Sequence, residues 1–282
     1  MSRSTPAQGE RPASGSIART ERDRATHPRR ARSYRGRVAT AAERREELKA
    51  VWEQATACTK CPQLASTRRT VVFGSGNADA DLMFVGEAPG AREDESGIPF
   101  VGQAGKLLDR MLEEIGLTRA DVFVANTLKC RPPQNRDPLP GEIEACQDYL
   151  FRQLELIQPR VVCTLGNFAT KLLRGDPATG ITRLHGREEI RRIGPRVVRL
   201  YPIYHPAAAL YTPSMVETLR ADFARIPELL ALPELEQPEP EEAEPVVPEP
   251  ELAAEAGEPR AGEPPPPDEP PADPDHVQLG LF

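Results

Sequence analysis

The chain has 282 residues, 28% of them charged, and a formal net charge of −7. No apolar run approaches the roughly 20 residues a membrane span needs, and the Arg-rich start lacks the apolar stretch of a secretory signal. A cytoplasmic protein with no membrane partner is expected.

The charge is segregated along the sequence. Residues 1–40 carry +7, residues 231–282 carry −14, and the stretch between them is neutral. Residues 1–39 are polar and without periodicity, which reads as a disordered basic arm. Two readings stand for it: sequence-blind affinity for nucleic acid, or a solvated extension. Thr40 and Glu43 have the spacing of a capping box, and Leu48, Val51, Trp52 and Ala55 then share one helical face. That helix delivers Cys58 and Cys61 at its exit.

Four apolar, strand-like segments follow, each running into a polar loop. Residues 81–85 enter Gly86-Glu-Ala-Pro-Gly90, and residues 122–126 enter the loop 127–138. Residues 161–166 lead into 167–170, and residues 198–204 lead into His205-Pro-Ala-Ala-Ala-Leu210. Helical periodicity fills the gaps. One helix carries Leu107, Leu108, Met111, Leu112 and Ile115 and ends at Gly116, where a capping glycine is favoured. Another begins after Pro140 and turns Ile143, Tyr149, Leu150, Leu154 and Ile157 inward. A short one spans Asn167–Leu173, and the last carries Val216, Leu219, Phe223, Ile226 and Leu230. This alternation predicts a right-handed parallel α/β layer structure. Beyond Pro233 the Pro/Glu-rich tract cannot bury enough apolar surface to fold. The expected organisation is a basic arm (1–39), one catalytic domain (40–230), an acidic linker (231–276) and a short terminal motif (277–282).

In an open parallel sheet the loops leaving the carboxyl ends of the strands meet at one crevice. Gly86, Glu87, Asn126 and His205 are therefore expected to face a common pocket. Gly86–Gly90 is neither a phosphate-binding Walker loop nor G-x-G-x-x-G. Taken singly, Glu87, Asn126 and His205 read as turn or loop residues; together at strand ends they read as a site.

The cysteines are Cys58, Cys61, Cys130, Cys146 and Cys163. Cys163 lies inside an apolar run and reads as a buried core thiol. Cys58-x2-Cys61 can clasp one metal centre, while Cys130 and Cys146 are too far apart to form a second short pair. Spacing leaves structural zinc, an iron–sulfur cluster and unliganded thiols all open.

The segments Gly86–Gly90, Pro99-Phe-Val-Gly-Gln-Ala-Gly105, Asn126-Thr-Leu-Lys-Cys-Arg-Pro-Pro133, Asn135–Pro138 and His205–Ala208 resemble the family 4 uracil-DNA glycosylases. The likeness runs in order over residues 45–230. It implies a three-layer α/β/α fold around a four-stranded parallel sheet. It also implies a structural [4Fe-4S] cluster held by Cys58, Cys61, Cys130 and Cys146, and a monomeric hydrolase that excises uracil from DNA. Uracil must first be flipped out of the duplex. Phe100 then offers a stacking face, and the Asn126 amide can bond O4 and N3–H together, a pattern cytosine cannot match. The family likeness places the Gly86–Ala88 backbone against the base and makes Glu93 a wall against thymine's methyl. Glu87 is the carboxylate beside the cationic sugar, and His205 the donor to uracil O2.

Lys129, Arg131 and Arg136 are candidate phosphate contacts, and Leu210 or Tyr211 is a candidate wedge for the gap left by the flipped base. Gln278, Leu279, Leu281 and Phe282 resemble the motif by which bacterial repair proteins dock on the sliding clamp. Two other functions compete. One is the superfamily branch that traps uracil-DNA covalently; Ala88 and the loop Thr182–Glu188, with His185, depart from that branch. The other is a non-catalytic, metal-stabilised DNA-binding adaptor.

Overall fold

The computed structural model describes residues 39–210 and 212–238. The expectations placed on the basic arm up to residue 38, on Tyr211, on most of the acidic linker and on Gln278–Phe282 fall outside them.

In chain order the helices and strands are α1 (Ala41–Thr56), α2 (Pro62–Thr67), β1 (Ser75–Gly76), β2 (Leu82–Gly86), α3 (Ala91–Ser96), α4 (Gln103–Glu114) and β3 (Val122–Asn126). There follow α5 (Pro140–Ile157), β4 (Val161–Leu165), α6 (Asn167–Arg174), α7 (Ile181–Leu184), β5 (Glu189–Ile193) and β6 (Arg196–Ile203). The last are α8 (Pro206–Ala209), α9 (Pro213–Ala224) and α10 (Ile226–Ala231).

The sheet order is β1-β3-β2-β4-β6-β5. Its centre, β3-β2-β4-β6, is parallel as the sequence predicts. The sheet has six strands rather than four, because β1 and β5 add antiparallel edges. The β5–β6 hairpin turns at Gly194, whose φ of 57° suits glycine. These edge pieces carry little periodicity: β1 has two residues, and β5 alternates half-buried and exposed side chains on a strongly charged sequence, with only Ile193 buried.

Strands β2, β3 and β4 are buried on both faces, as parallel strands covered by helices must be. Period-two alternation sends Met83, Val85, Phe123, Ala125 and Val162 toward Leu48, Val51, Ala55, Leu150 and Leu154 of α1 and α5. The alternate residues Leu82, Phe84, Val124, Cys163 and Tyr201 pack on Leu108, Met111 and Leu112 of α4 and on Leu219 and Phe223 of α9. Cys163 is a fully buried core thiol, as expected. Each such apolar side chain contributes about 1.5–3 kcal/mol, so truncating fully buried Leu108 to Ala costs about 2–5 kcal/mol.

The capping box on α1 forms between Thr40 and Glu43, and Gly116 sits at φ 77° just past α4. The final helix divides at Arg225 into α9 and α10, because Pro227 has no N–H to continue the ladder. Just beyond α10, Arg160 Nη2 donates to Leu232 O and Arg199 Nη2 to Pro233 O, both at 2.6 Å. The Gln237 side chain bonds both N and O of Val197 at 3.0 Å, so residues 232–237 are held against β6. Among the described residues, no helix is long and apolar enough to cross a membrane.

Candidate active site

Gly86 ends β2 and Asn126 ends β3, and the two are register partners. Asn126 is 2% exposed, and its Oδ1 is buried without a hydrogen bond. Such a group costs about 1–3 kcal/mol unless something pairs with it. Its backbone is fixed from below: Lys129 Nζ donates to Asn126 O at 2.8 Å and to Gln153 Oε1 at 2.6 Å. Lys129 is therefore a buried strut, with a pKa lowered to about 8 by burial, and not the phosphate contact its charge suggested. The next turn is closed by Thr127 N and Leu128 N donating to Gly86 O and Glu87 O.

Phe100 roofs this floor. Its ring stacks on His205, with centroids 5.5 Å apart and planes at 28°. Gly86 leaves room for both neighbours: a Cβ there would lie 2.4 Å from Asn126 Oδ1 and 2.6 Å from Phe100 Cζ. Phe100 has φ 55°, which is costly for a residue with a side chain. Three neighbours hold it there. Arg119 Nη2 donates to Phe100 O at 2.8 Å. Gly105 of α4 lets that carbonyl press against the helix, since a Cβ would come within 1.6 Å of it. Glu93 Oε1 accepts from Val101 N and Gly102 N at 3.0 and 2.8 Å. Glu93 thus braces the Phe100 loop with its carboxylate.

His205 caps α8, accepting the Ala207 N–H on Nδ1 at 3.1 Å. That bond puts the neutral ring's proton on Nε2. Burial lowers the His205 pKa to about 4. Gly166, at φ 86°, clears the ring's approach, since a Cβ there would be 3.1 Å from His205 Cβ. Burial, and secondarily the charge of Asp137, raises Glu87 to about 6. Above both values the site holds an ionised carboxylate and a neutral imidazole.

The remaining candidates separate. Arg131 donates from Nε to Asn135 Oδ1 at 2.7 Å in an exposed setting. Arg136 is committed to Glu142 by two bonds of 2.9 and 2.6 Å, tying the loop to the start of α5. Leu210 is partly buried against the core beneath α4 and α9. Ala88 packs toward Leu64, Leu128 and the cysteines.

Cys58, Cys61, Cys130 and Cys146 line one small cavity together with Ala55, Leu64, Leu128 and Tyr149. Arg68 Nη1 donates to Cys130 Sγ at 3.2 Å, and Lys129 N donates to Cys146 Sγ at 3.3 Å. Burial raises the thiols of Cys61, Cys130 and Cys146. Among the described residues, no three His, Cys, Asp or Glu side chains converge as a single ion requires.

The residues sequence reasoning missed are supports: Gly105, Arg119, Gly166 and the Lys129–Gln153 pair. The one readable signal was Gly105, a glycine inside an otherwise helical pattern, which points to close backbone packing.

Comparison with known proteins bears on this constellation. The model of the uracil DNA glycosylase superfamily matches residues 73–230. A type-4 uracil-DNA glycosylase of Archaeoglobus fulgidus is 49% identical over 188 residues, covering 65% of this chain and 94% of the relative. The chain belongs to the uracil-DNA glycosylase superfamily, in its type-4 family. A second type-4 enzyme, from Sulfurisphaera tokodaii, is 44% identical over 193 residues, 67% of this chain and 87% of its own. A type-5 uracil-DNA glycosylase of Pyrobaculum aerophilum is 31% identical over 204 residues, 61% of this chain and 86% of its own. The superfamily span contains every crevice residue, Cys130 and Cys146, while Cys58 and Cys61 precede it.

Proposed function

We propose that this protein removes uracil from DNA by hydrolysing the N-glycosidic bond of a flipped-out deoxyuridine, leaving an abasic site. The observation that carries the reading is the buried, unpartnered Asn126 Oδ1 beneath the stacked Phe100 and His205 rings. An acceptor held ready at that depth suits the uracil N3–H, with the amide Nδ2 donating to O4. Cytosine offers an acceptor at N3 and a donor at C4, leaving both amide groups mismatched.

Cleavage breaks the C1′–N1 bond, and the electron pair leaves with the base as charge spread toward O2. His205 donates from Nε2 to that oxygen, a contact worth about 3–4 kcal/mol when it forms in the transition state. Ionised Glu87 stabilises the oxocarbenium-like sugar and orients the water that adds to C1′; the proton this water gives up neutralises the departed uracil anion. Gly86 and Ala88 present backbone to the base, and Glu93 holds the Phe100 loop while closing the side where thymine carries its methyl.

Cys58, Cys61, Cys130 and Cys146 fit a [4Fe-4S] cluster. All four line one cavity, and the donor set is all sulfur, as such a cluster requires. The cluster's role is structural, fastening the exit of α1 to the loop after β3. Five free cysteines suit the reducing cytoplasm, where the enzyme works as a monomer. Gln278, Leu279, Leu281 and Phe282 are a docking motif for the sliding clamp, tethered to the catalytic domain by the acidic linker.

The test is excision from a uracil-containing oligonucleotide, followed by alkali. Wild type yields strand scission. Glu87→Gln and His205→Ala keep fold and bound iron but lose at least about 100-fold in single-turnover rate. Variants matching wild type would refute the assignment. A protein–DNA adduct on a denaturing gel would favour the covalent-trapping alternative, and absence of scission by wild type would favour the adaptor.

A further inference from the structure

The catalytic domain is close to neutral, so its grip on a polyanion must come from local patches. The two strongest candidates near the crevice are taken, Lys129 by burial and Arg136 by Glu142. The segment Thr182–Glu188 offers what they do not. Arg183 and Arg187 are exposed, and neither guanidinium makes a hydrogen bond or ion pair among the described residues. Glu188, the acid beside them, is neutralised by Arg225 at 3.0 Å.

Between the two arginines, His185 is half-buried and fixed. Its Nδ1 lies 3.0 Å from Oδ2 of buried Asp222, and its ring packs on Tyr204 with centroids 4.4 Å apart. Gly186, at φ 71°, is required by this packing, since a Cβ would lie 2.6 Å from Asp222 Oδ1. Gly186 N donates to Pro202 O at 2.9 Å, and Arg225 Nη1 donates to Gly186 O at 2.7 Å.

The segment is also tied to the reaction centre from both sides. Tyr204 directly precedes His205. At the other end Ile181 N donates to Asn167 Oδ1 at 2.8 Å, and Asn167 follows Gly166, the residue that clears the His205 ring. A rigid, positively charged loop therefore stands on the β4–β6 wall of the crevice.

We propose that Arg183 and Arg187, presented by the anchored His185, bind backbone phosphates of the DNA strand on that wall. They position the duplex without reading bases. The proposal rests on the uracil-excision reading, because it takes the crevice to face DNA.

The experiment measures binding of the full chain to a duplex carrying an abasic-site analogue across about 50–200 mM salt, with excision kinetics alongside. Two phosphate contacts account for about 1.8 units of the log Kd against log salt slope. The double variant Arg183→Ala/Arg187→Ala should lose about that slope and raise KM at least about fivefold, while the saturating single-turnover rate stays within about twofold of wild type. The Lys/Lys double variant should restore the slope. Arg192→Ala, near the turn of the β5–β6 hairpin that follows this loop, should leave it unchanged. A slope change below about 0.9, less than one contact, overturns the proposal. If wild type still excises uracil in that case, only the phosphate contact fails; if wild type does not excise, the function reading fails first.

Discussion

Gly86 and Asn126 face each other across two parallel strand ends so closely that one methyl group on Gly86 would sit 2.4 Å from the Asn126 amide oxygen. The floor of the crevice is thus built from an absent side chain as much as from a present one.

Gly86→Ala should fold, because the clash falls on the Asn126 side chain and the Phe100 ring edge, which can shift. Displacing either by a fraction of an ångström spoils the geometry for the base. We expect about a 100-fold fall in kcat/KM with the melting temperature nearly unchanged, read by steady-state kinetics and calorimetry.

Asn126→Ala removes an unpartnered acceptor, so it should cost the free protein little stability and can even stabilise it. Its effect belongs to substrate recognition. Excision of uracil should weaken by about 1–3 kcal/mol in transition-state terms, measured as kcat/KM on paired uracil and cytosine substrates.

The pH profile follows from two opposite shifts with one main cause. Burial raises Glu87 to about 6 and lowers His205 to about 4. Glu87 acts ionised, so the single-turnover rate should climb as pH rises through about 6 and then level off. His205 stays neutral down to about 4 and so adds no second limb in that range. The Glu87→Gln enzyme should be slow and lack the limb at 6. A wild-type limb near 4.5, the ordinary carboxylate value, would place Glu87 in solvent.

Gly105→Ala tests the Phe100 support. A Cβ 1.6 Å from Phe100 O cannot be accommodated without moving the strained loop or α4. We expect a loss of about 2–4 kcal/mol in unfolding free energy, with excision falling alongside. Urea titration followed by circular dichroism measures the first.

If Cys58, Cys61, Cys130 and Cys146 hold the proposed cluster, Cys146→Ser should remove its iron, its visible absorbance and its tie between the α1 exit and the β3 loop. A melting temperature lower by about 5–10 °C is expected, with residual excision at low temperature because the crevice residues lie outside the cysteine cavity. Iron analysis and thermal scans decide it.

Much of this molecule was legible before any coordinates. The four parallel strands, the capping box at Thr40, the glycine after α4 and the buried Cys163 all follow from periodicity and local backbone preference. So did the gathering of Gly86, Asn126 and His205, because loops at the carboxyl ends of parallel strands have nowhere else to meet. Lys129 misled because charge predicts solvent, and only packing reveals that the Gln153 side chain and the Asn126 carbonyl accept its hydrogen bonds. The short edge strands and the α9–α10 break hid for a related reason: two to six residues carry too little pattern to read.

Composition and order along the chain, then, determined the layers, the family and which groups are proposed to react, since these depend on local chemistry and strand polarity. What only the tertiary structure decided is their state: Glu87 pushed up and His205 pushed down by the same burial, the ring proton sent to Nε2, Phe100 pinned against Gly105. Those properties arise from groups distant in sequence sharing one desolvated space, and no local stretch of residues encodes how much water is left there.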